Sequence, residues 1–292
     1  MDSFKDKATV ITGAASGVGK ALAERLGREG APVLISDIEQ DSLDTAVSEL
    51  KDKGIDIEGM RVDVTERDDV FALADKAFEK FGKVHCVFNN AGVGAGGGAL
   101  NWLVPEKAFR WGFDVNFYGP LYGIQAFVPR MLEQNEEGII SATSSGAGIV
   151  YPPSSVGYSC TKAALTTLFE TLSHQFTQMS AKLRAALLFP GPHVINSNLM
   201  NSQRNLQDKY DDPIVRQGSG INDMESFQKT MKMFIGHEVP LTEPEEFADI
   251  AHDLLLDGKF WVMPMEQITK DAIRLRFEEM LSQTNPSIPK ML

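Results

Sequence analysis

The sequence predicts an α/β fold: one domain built on a doubly wound parallel sheet of about seven strands, with a helical insertion late in the chain and an extra C-terminal helix. Three observations predict it. Short β-rich runs alternate with helical stretches, a rhythm that implies right-handed crossovers and a parallel sheet covered on both faces. The strand runs are almost wholly apolar rather than alternating, as strands buried on two sides must be. A glycine-rich turn joins the first strand directly to the first helix.

In chain order, "KATVITG" leads into "GKALAERLGREG", "PVLISD" into "DSLDTAVSELKDKG", and "DIEGMRVDV" into "RDDVFALADKAFEKFG". "KVHCVFNN" precedes a long helical stretch ending "GIQAFVPRMLEQ", and "GIISATSS" precedes the helix that holds "GYSCTKAAL". "LRAALLFPG" is the sixth strand and "KFWVMP" the last. Nothing before residue 190 has the composition of a linker. The stretch 192–241 breaks the rhythm with a polar loop and a Met- and Phe-bearing helix, and an insertion of that length in a compact domain is usually functional or mobile. "EPEEFADIAHDLLLDG" resumes as helix, and "EQITKDAIRLRFEEMLSQ" adds one more at the C-terminus.

The chain has 292 residues, 43% apolar and 23% charged, the balance of an ordinary globule that buries a sizeable core. Its formal charge of −12, with basic residues spread along the chain, argues against a nucleic-acid partner, because no basic surplus exists to release counterions. Cys86 and Cys160 lie far apart and outside any C-x-x-C pattern, which suits a reducing compartment. His85, His174, His193, His237 and His252 show no metal-ligand spacing, so no metal is expected. The N-terminus has no apolar core of a leader, and no apolar run approaches the roughly 20 residues that span a bilayer. No membrane association and a cytoplasmic location are expected.

The first strand ends in "TGAASGVG", residues 12–19, and opens into a helix. Glycines there let the backbone turn tightly beside a pyrophosphate, while the helix N-terminus offers free N–H groups and the positive end of its dipole. A tight strand–helix turn needs glycine for steric reasons alone, so position after strand one is what favours the functional reading. Asp37 ends strand two, 18 residues past Gly19, where it can accept hydrogen bonds from both ribose hydroxyls of an adenosine and repel a 2′-phosphate. Neither Ser16 nor Ile38 is basic, so NAD is favoured over NADP. Asp63, at the end of strand three, is placed to meet the adenine amino group.

Tyr158 and Lys162 stand four positions apart on one helical face. A free phenol titrates near pKa ~10. A neighbouring ammonium, helped by the positive nicotinamide ring of NAD, favours the phenolate, and a tyrosine so tuned can take the proton of a secondary alcohol as hydride leaves its carbon. Taken alone the pair is equally a solvated surface tyrosine and its lysine. What favours chemistry is "SATSSGAG", which puts Ser145 at the carboxyl end of the preceding strand, on the same edge as the glycine turn. "NNAG", residues 89–92, ends strand four on that edge as well.

With "TGAASGVG", "DV" at 63–64, "NNAG" at 89–92, "NFYG" at 116–119, "SS" at 144–145, "YSCTK" at 158–162 and "PG" at 190–191 all in order, the chain resembles the short-chain dehydrogenase/reductase family from residue 5 to about 263. The resemblance implies a Rossmann-type fold with Tyr158 as general acid/base, and Lys162 lowering its pKa while holding the nicotinamide ribose. Ser145 then polarises the substrate oxygen, and Asn116 anchors a water that relays protons. On the cofactor side it implies Gly13, Ser16, Gly17, Val18 and Gly19 at the phosphates. Val64, Asn90, Ala91 and Gly92 follow along the dinucleotide, and Pro190 and Gly191 stand beside the carboxamide. It also implies a homo-oligomer paired through the long helices after strands four and five, a dimer rather than a tetramer if the C-terminal extension blocks a second interface.

Three features depart from the family pattern. Ile195 stands where a threonine usually meets the carboxamide, leaving Asn196 or Ser197 as the substitute. "DGKFWVMPM" and the extra helix replace the usual ending. A glycine-rich "GVGAGGGALNW" follows "NNAG", suggesting a loop that moves over the substrate and leaves Trp102 at its mouth. This tail and loop look most like the branch of bacterial Cα-dehydrogenases acting on lignin-derived aryl ethers. Met200, Met224, Phe227, Met231 and Phe234 could line an adaptable apolar pocket or simply pack their helix on the core, and Tyr151 flanks the site. The expected function is an NAD-dependent oxidoreductase interconverting a bulky or aromatic secondary alcohol and its ketone. Steroids, cyclic terpenols and acyl-chain ketones fit nearly as well. Two other readings are a non-catalytic dinucleotide-binding sensor or scaffold, and an epimerase that moves hydride transiently, for whose larger C-terminal domain the chain lacks room.

Overall fold

Side-chain alternation along each strand sends neighbouring apolar residues to opposite faces of the sheet. Val10, Leu34, Val87, Ile140 and Leu187 enter one core, while Ile11, Ile35, Phe88, Ile139 and Leu188 enter the other. Doubly apolar strands therefore require helices on both sides, and the chain supplies them. The computed structural model describes residues 1–95, 100–153, 155–217, 221 and 223–289, the side chains of 234 and 235 excepted.

The strands are β1 (Thr9–Thr12), β2 (Val33–Asp37), β3 (Ile57–Arg61), β4 (Cys86–Asn89), β5 (Gly138–Thr143), β6 (Leu183–Leu188) and, after a short pair described below, β9 (Trp261–Val262). They form one parallel sheet in the order β3-β2-β1-β4-β5-β6-β9, seven strands as the sequence predicts. Strand order reverses between β1 and β4, so a crevice opens there at the carboxyl edge. Helices α1 (Gly17–Arg28) and α2 (Gln40–Asp52), with α9 (Pro244–Leu256), cover one face through Leu22, Leu26, Leu43 and Phe247. Helices α3 (Arg67–Phe81), α5 (Gly119–Gln134) and α6 (Val156–Gln178) cover the other through Leu73, Phe127, Leu165 and Phe169.

Two local features aim residues at the crevice. A Cβ on Gly123 would overlap the Asn89 side chain, so glycine lets α5 lie directly against the end of β4. Between α4 (Glu106–Phe113) and α5 the helix widens into a π turn, Asp114–Tyr118, which turns Asn116 inward to complete burial.

The insertion begins with β7 (Val194–Ile195), paired in parallel with β8 (Leu241–Thr242). It continues through 3₁₀ turns at Asn198–Asn205 and Asp208–Tyr210, then α7 (Pro213–Gln217) and α8 (Met224–Ile235). The final helix, α10 (Gln267–Ser282), has no buried residue.

Phe169, wholly buried on α6, is the most direct test of this packing. Phe169→Ala is expected to lower the free energy of unfolding in urea by about 3–5 kcal/mol, and a loss under about 1 kcal/mol would show that α6 does not pack as described.

Candidate active site

Strand β5 delivers Thr143, Ser144 and Ser145 to the carboxyl edge, and a 3₁₀ turn at Gly146–Gly148 follows, capped by the Ser145 hydroxyl, which accepts from Ala147 N at 3.2 Å. Helix α6 starts close by, with Tyr158 in its first turn and Lys162 one turn on. The lysine points back beneath the tyrosine. Its Nζ donates to the Thr143 carbonyl at 2.7 Å and lies 5.5 Å from the Tyr158 ring centroid. The Ser145 hydroxyl is near enough to the Tyr158 phenol to lower its pKa, and both groups line the cleft.

Loss of water dominates the titration of this pair. Burial pushes the Tyr158 phenol up to about 12, against the lowering hydrogen bond from Ser145. It drives Lys162 from an ordinary 10.5 down to about 7. One side of the Tyr158 ring is open to the cleft, and solvent there works against its upward push. The sequence reading expects an ammonium that holds the phenol below its usual value. In the protein alone the desolvation of both groups outweighs that effect, and Lys162 donates to the Thr143 carbonyl.

Asn116 stands behind this pair rather than in the cleft. Its Oδ1 accepts from Val93 N at 2.8 Å, and its Nδ2 donates to Val93 O at 2.9 Å and Thr161 Oγ1 at 3.0 Å. A Cβ built on Gly92 would lie 3.4 Å from Asn116 Oδ1 and 3.6 Å from Lys162 Nζ, so all three converge. Asn90 lines the cleft, yet its amide is committed within the protein. Nδ2 donates to the carbonyls of Thr12 (3.1 Å) and Gly13 (2.9 Å), and Oδ1 accepts from Thr143 at 2.9 Å. It braces the glycine turn against β5 instead of offering its side chain to a ligand.

The glycine turn fits an anionic group. Gly17 has φ of +55°, where a side chain would be strained, and faces the cleft with Gly13, Ser16 and Val18. The Ser16 cap makes no side-chain hydrogen bond and the first turn of α1 holds no acid, so its positive end is uncompensated. Gly19 does not reach the cleft. A Cβ there would strike Asn90 and the Gly13 carbonyl, so its glycine serves internal packing.

Asp37 ends β2 in the cleft wall, accepting from Ala15 N and Glu39 N, both at 3.1 Å; burial raises its pKa despite these bonds. The sequence reading finds no cation near it. The structure brings one from far along the chain: Arg204, in the cleft wall, pairs with Glu39 at 2.6 Å. Burial works to raise Glu39, but bonds from Asn205 and Ser42 and the charge of Arg204 hold it below its ordinary value. Arg61 stands near as well, its Nε donating to the Ile38 carbonyl at 3.2 Å, so Asp37 and Glu39 have two guanidinium groups in their neighbourhood.

Asp63, Val64, Ala91, Gly92, Ser145, Tyr158, Lys162, Pro190 and Gly191 all line the same cleft, whose volume is about 910 Å³. Asn196 turns away, its amide 3.2 Å from both Glu243 oxygens, whereas Ile195 and Ser197 face the cleft. Met200, Phe227 and Met231 form part of the wall and Met224 does not; the Phe234 side chain and residues 96–99 of the glycine-rich loop lie outside the described residues. Trp102, 78% exposed, stands outside the cleft, and so does Tyr151, whose hydroxyl accepts from Arg276 at 3.2 Å. Sequence reasoning misses the contribution of α10, which closes one side with Ile268, Thr269, Ala272 and Ile273. Trp111 and Val115 were also unmarked. Among the described residues no group of three or more His, Cys, Asp or Glu could hold a metal ion.

A family model described as short chain dehydrogenase matches residues 7–207. Over 188 residues, 64% of this chain and 68% of the relative, the chain is 35% identical to 1-deoxy-11-beta-hydroxypentalenate dehydrogenase of Streptomyces exfoliatus. A short chain dehydrogenase/reductase from Burkholderia phymatum, crystallised in complex with NAD, is 31% identical and covers 100% of both chains with a TM-score of 0.87. LigO from Sphingobium sp. strain SYK-6, in its apo form, is 25% identical and matches 97% of this chain and 90% of its own with a TM-score of 0.75. Other matched chains carry NADH or NADP.

The depressed lysine makes stability depend on pH. Folded, the chain releases the Lys162 proton near pH 7; unfolded, it holds that proton to about 10.5, so the unfolded state carries more protons between those values and stability rises with pH. Relative to Lys162→Met, the unmutated chain is expected to gain about 2 kcal/mol of unfolding free energy between pH 7 and about pH 9. Parallel urea curves with a pH-independent difference would contradict a buried, deprotonating Lys162.

Proposed function

This chain belongs to the short-chain dehydrogenase family, and on that premise we propose that it is an NAD-dependent enzyme interconverting a bulky or aromatic secondary alcohol and its ketone. The observation that carries this reading is the meeting of Ser145, Tyr158 and Lys162 on one sheet edge with an uncompensated helix N-terminus. Bound NAD would supply the hydride acceptor and, in its oxidised form, positive charge beside the phenol.

Ser145 and Tyr158 together hold the substrate oxygen. Tyr158 takes the carbinol proton in oxidation and returns it to the carbonyl oxygen in reduction. A phenol near 12 is almost wholly protonated at neutrality, so the phenolate that takes the carbinol proton forms only when positive charge stands beside it. Lys162 provides part of that charge and, with a pKa near 7, can pass a proton onward at neutral pH. Asn116, fixed beside it, is the proposed anchor for the water that carries this proton out. Asp37, in the cleft wall and accepting only from backbone N–H groups, favours the ribose hydroxyls of NAD over a 2′-phosphate. The apolar wall of Met200, Phe227, Met231, Ile268 and Ile273 suits a large hydrophobic substrate.

Both cysteines are free, which accords with a reducing compartment, and no described helix is long and apolar enough to cross a membrane. The proposed assembly is a dimer through α5 and α6. Tyr118, 41% exposed at the start of α5, meets Phe117 edge-on and Tyr122 at a tilt, forming an aromatic row at the surface.

Tyr158→Phe is expected to bind NADH normally in fluorescence titrations while turnover of a ketone panel falls by about 10²–10⁴-fold; near-normal turnover would remove Tyr158 from the chemistry. Equilibrium sedimentation at micromolar concentration is expected to return the dimer mass, and a monomer would overturn the assembly.

A further inference from the structure

The polar start of the insertion lies as a bar across the mouth of the cleft, tied down at successive strand ends. A Cβ built on Gly17 would lie 3.4 Å from Ser197 Cβ, which places Ser197 over the phosphate turn. Ser202 Oγ accepts from Gly94 N at 3.0 Å. Arg204 and Asn205 donate to Glu39 Oε1 beyond β2, at 2.6 and 2.5 Å. Gln207 Nε2 donates to Asp63 Oδ2 beyond β3, at 2.9 Å, and Lys209 meets Thr65 and Glu66 at 3.1 and 2.7 Å. The anchors run from the phosphate turn toward the strand ends assigned to the adenosine.

Two buried side-chain oxygens of this segment, those of Gln203 and Gln207, have no partner, and of the two residues Gln207 alone lines the cleft. Gln207 Oε1 is buried without a hydrogen bond, on a side chain that lines the cleft beside Asp63. The orientation of the amide follows from chemistry: an ionised Asp63 only accepts, so the nitrogen must face it and the oxygen must face away. A buried carbonyl left unpaired is costly, so one that faces a cleft points to an incoming donor. Asp63 Oδ1 already accepts from Thr65 N at 2.9 Å and Oδ2 from Gln207, which leaves each oxygen one further lone pair.

We propose that Gln207 reads the adenine base of the dinucleotide, its Oε1 accepting one N–H of the exocyclic amino group while Asp63 accepts the other. The inference rests on the nicotinamide-dinucleotide reading above. It gives the insertion a role at the adenine end, distinct from the substrate wall supplied by Met200, Phe227 and Met231.

The test compares NADH with reduced nicotinamide hypoxanthine dinucleotide, which carries a carbonyl oxygen in place of the amino group, by fluorescence titration. The unmutated chain is expected to prefer NADH. Gln207→Leu and the length-preserving Gln207→Met are expected to lose about tenfold in NADH affinity, the value of one hydrogen bond, and to bind the hypoxanthine analogue as the unmutated chain does. Equal weakening toward both dinucleotides, or none toward either, overturns the role of Gln207 while leaving the dehydrogenase reading in place. Failure of the unmutated chain to bind NADH would overturn both.

Discussion

A buried lysine is the constraint from which the rest of this site follows. Lys162 keeps only 3% of its surface exposed, and its hydrogen bond here is to the carbonyl that ends β5. An ammonium in such a place has lost most of its hydration, so its proton comes off near neutrality. Everything around it serves to hold that position. The π turn swings Asn116 in behind, Asn90 braces the glycine turn against Thr143, and Gly92 leaves room where the lysine and Asn116 meet. Tyr158 lines the cleft with Ser145 near its phenol.

The same edge is organised electrostatically from end to end. At one end are the Tyr158 phenol and the buried lysine, and in the middle the N-terminus of α1, with no acid in its first turn. Beyond it lie Asp37 and Glu39, the latter paired with Arg204 from the insertion. A long ligand with a neutral or cationic head, an anionic middle and a hydroxyl-bearing tail matches this order of charges. The insertion closes over it through polar ties, whereas α10 and the methionine-bearing helix supply the apolar side.

Much of this was legible in the sequence because it is written in local patterns. Apolar runs mark strands buried on both faces, and a glycine turn after the first strand marks the start of α1. Strand ends then identify Asp37, Asp63, Ser145 and the asparagines as sharing one edge. The parts that were not legible depend on distance or burial. Arg204 and Gln207 reach Glu39 and Asp63 across 165 and 144 positions, and no spacing rule connects them. Helix α10 reads as an appendage, yet four of its residues wall the cleft. Gly19 belongs to the phosphate motif but packs on Asn90, because steric need and ligand contact leave the same letter. The direction of the Tyr158 shift was likewise hidden, since a neighbouring lysine in sequence says nothing of how much water either group has lost.

The central claim is geometric: the Tyr158 oxygen must sit where a carbinol or carbonyl oxygen would lie beside the reactive carbon of a bound nicotinamide. A crystal structure of the chain with NADH and a bulky ketone measures that placement directly. The account predicts the ketone oxygen within hydrogen-bond reach, about 2.6–3.2 Å, of both Tyr158 Oη and Ser145 Oγ. A ternary complex with the phenol turned away, or with the ketone seated against other donors, would contradict it.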